Sequence, residues 1–154
     1  MPLIVVAKDS KLSLQFDKEE FYNAISAKNI VAVNKEINIL KSISLKNKEA
    51  FEGTLLMKKA GLVNNPREKL QLFKEGRKKL EAAISKEPDN VEFRFLRFII
   101  QENTPRILNY KTNLEADKLM IVKNIKDLPI YLQQVITDYS KTSKLIHPKD
   151  FEGA

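Results

Sequence analysis

Arg94, Arg97 and Gln101 recur at spacings of three and four inside an otherwise apolar run. A helix would set them in one strip on a single face. Two guanidiniums held on a rigid face form a forked receptor for a carboxylate or a phosphate. The same residues admit a structural role: pairing with Glu102 or with an acid on a neighbouring helix, while their long stems cover the edge of the core. A second group of cations, Lys58, Lys59, Lys74, Arg77, Lys78 and Lys79, is a candidate basic patch for nucleic acid. No aromatic residues are interleaved there for base stacking. Arg77 to Lys79 also lie opposite Leu80 and Ile84 on a helix, so a solvated face is the plainer reading.

Other chemistries find little to work with. Cysteine is absent, which removes disulfides, thiolate nucleophiles and Cys-ligated zinc. The single histidine, His147, sits beside Pro148 near the C-terminus, where a solvated role is the plain expectation. Nucleophilic triads and zinc sites normally draw on histidine. The four glycines, Gly53, Gly61, Gly76 and Gly153, are far apart, so no glycine-rich loop wraps a phosphate. The acidic spacing of a calcium-binding loop is missing. Asp17, Glu20, Glu68, Asp89, Glu92 and Asp127 fall at expected helix starts, where a carboxylate has a structural reason to be. No catalytic, cofactor-binding or metal-binding residue is assigned, and no cofactor is expected.

The net charge of +7, with a pI near 9.5, would attract nucleic acid, anionic lipid or an acidic partner. The cations are interleaved with Glu and Asp along the chain, which also suits a plain solubility role. No apolar run approaches the roughly 20 residues of a bilayer span. Residues 1–7 are uncharged and mostly apolar after the Met, with Val5 and Ala7 placed like the small residues of a signal-peptidase site. They lack a basic region and are too short for a signal core. The stretch reads either as the end of a signal peptide, implying export, or as an apolar arm of a cytoplasmic protein.

The elements that must position these residues are helical. Scarce glycine and abundant Lys, Glu, Leu, Ile and Ala favour helix. With 154 residues, one domain is expected. Residues 1–16 read as an extended arm, 17–140 as the helical core and 141–154 as a basic tail, which Leu145, Ile146 and Phe151 would tether. Asp17 caps the first helix, with Glu20 completing a capping box and Phe16 and Phe21 a hydrophobic staple. Asn29 caps a second helix, with Ile30, Val33, Ile37 and Leu40 on one face. A third runs from around residues 44–47 to Ala60, ended by Gly61 in the left-handed conformation. Asn65, Pro66 and Glu68 open the fourth. Gly76 on its apolar face implies close approach of a neighbouring helix, and Glu87-Pro88 ends it. Asp89 caps the fifth, which is apolar nearly all round and therefore the expected centre. Thr104-Pro105 restarts a short helical segment. Leu119, Ile121, Val122 and Ile125 face inward from the next helix. Asp127 caps the last, with Leu128, Leu132, Val135 and Tyr139 inward.

Gly76, Leu80, Ala83 and Pro88 fall at the spacing of the second helix of a tetratricopeptide repeat, and the turn at residues 88–90 resembles that family's turn between repeats. The resemblance covers roughly a third of the chain, and no second copy recurs at the 34-residue period. The whole chain is also similar to bacterial helical proteins to which no activity attaches. The resemblance implies an all-α, TPR-like array of six or seven helices packed as antiparallel hairpins. The expected function is a non-catalytic scaffold that holds a protein or peptide between helices. A nucleic-acid-binding protein and a small enzyme using Arg94 and Arg97 as an anion site are the alternatives.

Overall fold

The computed structural model describes residues 15–153. All regular structure in them is helical, as expected, and no strand is present among the described residues. The α-helices are α1 (Lys18–Ser26), α2 (Ile30–Ser42), α3 (Lys48–Ala60), α4 (Pro66–Lys86), α5 (Val91–Asn103), α6 (Leu114–Asn124) and α7 (Ile130–Ser140). Short 3-10 turns occupy Arg106–Leu108, Ile125–Asp127 and Pro148–Phe151. The expected arm and the signal-like residues 1–7 lie outside the described residues, apart from Gln15 and Phe16. The chain divides into two compact units, residues 1–79 and residues 80–154.

In the first unit α1 packs on α2, and α2 on α3, as successive hairpins. Asp17 caps α1 through a bond from the Glu19 amide. The staple forms, with the Phe16 and Phe21 rings 5.5 Å apart. Both rings also meet Phe51 of α3, each at 5.2 Å, so an aromatic cluster ties the entry of α1 to α3. Asn29 accepts from the amides of Val31 and Ala32, and Asn65 from those of Arg67 and Glu68. These caps satisfy amides that a helix start leaves unpaired.

Helix ends are closed by a device the sequence pattern did not reveal. The Lys48 ammonium donates to the carbonyls of Leu40 and Ile43 at the end of α2. Lys69 donates to Ala60 at the end of α3. In the second unit Lys111 donates to Gln101 and Glu102 near the end of α5. A cation there meets both the orphan carbonyls and the negative end of the helix dipole.

That device bears on a correction. Gly61 is not left-handed: its φ is −72°. The last turn of α3 tightens instead, with the Gly61 amide bonded to Lys58 O, and Lys69 takes the Ala60 carbonyl. Among the described residues, the left-handed non-glycine residues are Asn47 and Asn109, with φ of 59° and 48°. Gly76 does mark a close approach. A Cβ built there would lie 2.5 Å from Gly53 O and 2.8 Å from Met57 Cγ, so α4 sits against the backbone of α3.

The second unit is built on α5, against which α6 packs. Phe93, Phe95, Leu96, Phe98, Ile99 and Ile100 are all buried, as an all-round apolar helix requires. Its cap is Asn90, whose side chain accepts from the Phe93 amide; Asp89 lies one residue earlier in the turn. The segment after Thr104-Pro105 is a 3-10 turn, and its Ile107 is 90% exposed. Ile121 and Ile125 are buried, as expected, but Leu119 is exposed and Asp117 takes an inward place on α6. The inward face is centred on Asp117, and a residue two positions on points nearly opposite. α7 starts at Ile130 and not after Asp127, because Leu128, preceding Pro129, is held extended. Its buried apolar residues are therefore Leu132 and Ile136.

Residues 141–153 fold back onto the second unit. Ile146 is fully buried. Glu102 accepts from the Tyr139 hydroxyl, the Ser143 hydroxyl and the Lys144 amide, at 2.6, 2.7 and 2.8 Å. Burial and the bond to Glu102 push the Tyr139 phenol well above its ordinary pKa.

Candidate functional site

The arginine strip is where the sequence suggested chemistry, and the fold gives it an anion of its own. Arg97 is buried and Arg94 is partly so. Asp117, fully buried on α6, receives Arg97 Nε on one oxygen and Arg97 Nη2 on the other, at 2.7 and 2.8 Å. This is the bidentate geometry that fits guanidinium to carboxylate. Arg94 Nη1 reaches the same carboxylate at 2.9 Å, and Arg94 Nε donates to the Pro88 carbonyl. The remaining Arg97 nitrogen, Nη1, meets Glu81, whose other oxygen accepts from the Tyr110 hydroxyl. Burial alone would lower the Arg97 pKa; the bond to Asp117 and the charges of Asp117, Glu81 and Tyr110 together outweigh it, and the pKa is raised. Gln101 is buried and exchanges two hydrogen bonds with Asn113. The strip thus fastens α5 to the chain that follows it.

The candidate basic patch behaves differently. Lys59 and Lys79 converge on a groove in the first unit with a volume of about 240 Å³. Its other lining residues are Ile37, Lys41, Glu52, Leu56, Leu72 and Glu75. Three helices supply them at helical spacings. α2 gives Ile37 and, four residues on, Lys41. α3 gives Glu52, Leu56 and Lys59. α4 gives Leu72, Glu75 and Lys79. Each helix therefore contributes one apolar residue and one lysine to the same face. The ammoniums of Lys41, Lys59 and Lys79 make no ion pair or hydrogen bond among the described residues.

The rest of the patch lies outside the groove lining. Lys74, Arg77 and Lys78 are exposed on α4. Lys58 is partly buried, and burial together with the nearby Lys28 lowers its pKa. Lys41 was missed because it stands alone in sequence; only the packing of α2 on α3 brings it beside Lys59.

A larger signal was available in the sequence. Residues 1–79 hold 16 Lys and Arg against 9 Asp and Glu, whereas residues 80–154 hold 11 of each. The whole net charge of +7 belongs to the first unit. Charge asymmetry between halves of a chain is a recognised pointer to an anionic partner.

The chain matches no protein-family model, no curated protein and no solved structure. Among the described residues, no group of three or more His, Cys, Asp or Glu is placed to hold a metal ion. No described helix is long and apolar enough to cross a membrane.

Proposed function

We propose that the protein is a non-catalytic, TPR-like helical scaffold whose first unit binds an acidic segment of a partner protein. The observation that carries this reading is the confinement of the net charge to residues 1–79, with three lysines of that unit standing at one groove without partners among the described residues. A non-catalytic role is supported by the arginine pair: the guanidiniums that an anion-using enzyme would need are held by Asp117. Nucleic acid would meet the same positive charge. The groove disfavours it, because none of its lining residues is an aromatic on which a base could stack.

Binding of a fluorescent glutamate-rich peptide, and of single- and double-stranded nucleic acid, across a salt series tests this. The expected outcome is peptide binding that weakens as salt rises, with little affinity for nucleic acid. Salt-steep nucleic-acid binding without peptide binding would reverse the assignment.

A further inference from the structure

We infer that the groove formed by α2, α3 and α4 is a docking site for an acidic amphipathic segment, which seats apolar side chains between its lysines. This rests on the acidic-partner reading above and adds the place and the chemistry of recognition. Ile37, Leu56 and Leu72 give the groove an apolar component from each of its three helices. A highly acidic polymer without apolar side chains would leave that surface unmatched. Desolvated apolar anchors dominate binding energy at protein interfaces, while rim charges mainly steer encounter and set salt dependence.

The size of the groove points the same way. At about 240 Å³ it falls below the roughly 300–1,000 Å³ typical of pockets that enclose whole small-molecule ligands. It suits anchoring side chains whose backbone stays outside. The charges are ordered for such an occupant. Lys41, Lys59 and Lys79 come one from each helix, so each helix offers an ammonium to carboxylates flanking an apolar anchor. Glu52 and Glu75 also line the groove, so carboxylates are repelled from its interior and an apolar side chain is favoured there. No aromatic side chain lines the groove, which removes the platform on which a nucleic-acid base would stack.

The experiment uses the full chain and two peptides of equal negative charge. One carries leucines a helical turn apart; the other has serines in their place. We expect the leucine peptide to bind about tenfold more tightly, the scale of one apolar anchor. Leu72→Ser should remove most of that difference. The double variant Lys59→Glu, Lys79→Glu, which changes only partly exposed side chains, should weaken both peptides. Lys123→Glu, an exposed lysine of the second unit, should weaken neither. Circular dichroism melts confirm that the variants remain folded.

Equal affinity of the two peptides, unchanged by Leu72→Ser, would overturn the groove while leaving the acidic-partner reading in place. Absence of binding by either peptide at low salt would overturn both. If the double variant lost nucleic-acid binding and kept peptide binding, the groove would belong to a phosphate backbone and the inference would fail.

Discussion

The two units treat charge in opposite ways. In residues 80–154 cations and anions are equal in number, and the innermost are locked together: Asp117 by two guanidiniums, Arg97 by two carboxylates. In residues 1–79 cations are in excess, and three of them line a groove with apolar side chains and have no partner among the described residues. The anions differ too. Glu36 on α2 is 2% exposed, and its Oε1 has no hydrogen-bond partner among the described residues. Whether a cation is available to a ligand therefore depends less on its type or clustering than on whether the fold has already supplied its anion. Arg94 and Arg97 had the more suggestive spacing and hold the chain together. Lys41 had no notable neighbours in sequence and faces the groove.

The sharpest way to break this contrast is to remove Arg97. Asp117 would lose its bidentate partner while remaining buried, and such a loss costs about 3–5 kcal/mol. We expect Arg97→Ala to lower urea stability by that amount, with faster amide exchange concentrated in residues 80–153. A cost below about 1 kcal/mol would place the pair among weak surface bridges and remove the structural role assigned to it.

Gly76→Ala sharpens the contrast from the other side. Alanine normally favours helix over glycine by about 1 kcal/mol. Here its methyl would press on the Gly53 carbonyl and on Met57, so a net destabilisation of about 1–3 kcal/mol is expected, as for overpacked cores. Exchange should accelerate in α3 and α4 of the first unit. A stabilised variant would show that the two helices separate easily.

Glu36 gives the smallest effect. Burial raises its pKa above the ordinary 4.5; Lys35 opposes the shift, while Glu20 and Asp17 add to it. A carboxyl whose pKa is higher folded than unfolded binds protons more readily in the folded state. Its favourable contribution is complete below 4.5 and is lost as pH rises through the folded value. Glu36→Gln should therefore stabilise the first unit at neutral pH by roughly 1 kcal/mol, within the usual range of single substitutions. That advantage should shrink on acidification. A difference independent of pH, read from parallel melts, would mean that the carboxyl does not titrate abnormally.

Much of the fold was legible because it depends on local pattern. The Phe16 and Phe21 staple, the Asn29 and Asn65 caps, the buried face of α5 and the close approach at Gly76 each follow from neighbouring residues or from helical period. The errors arose where tertiary partners overrode that pattern. Asp117 takes an inward place on α6, and leaves Leu119 exposed, because two distant guanidiniums bond to it. Lys69 helps close α3 and relieves Gly61 of a left-handed role. Glu102 docks the basic tail across some 40 residues of sequence. The groove was half visible, through Lys59 and Lys79, and its remaining members required the packing of three helices.

The most direct test of the account is a titration of the isotopically labelled full chain with the acidic leucine peptide, followed by amide chemical shifts. The account predicts changes confined to the first unit and centred on the groove-facing turns of α2, α3 and α4, with residues 80–153 unmoved. Shifts centred on Arg94, Arg97 and Asp117, or spread evenly over both units, would contradict it.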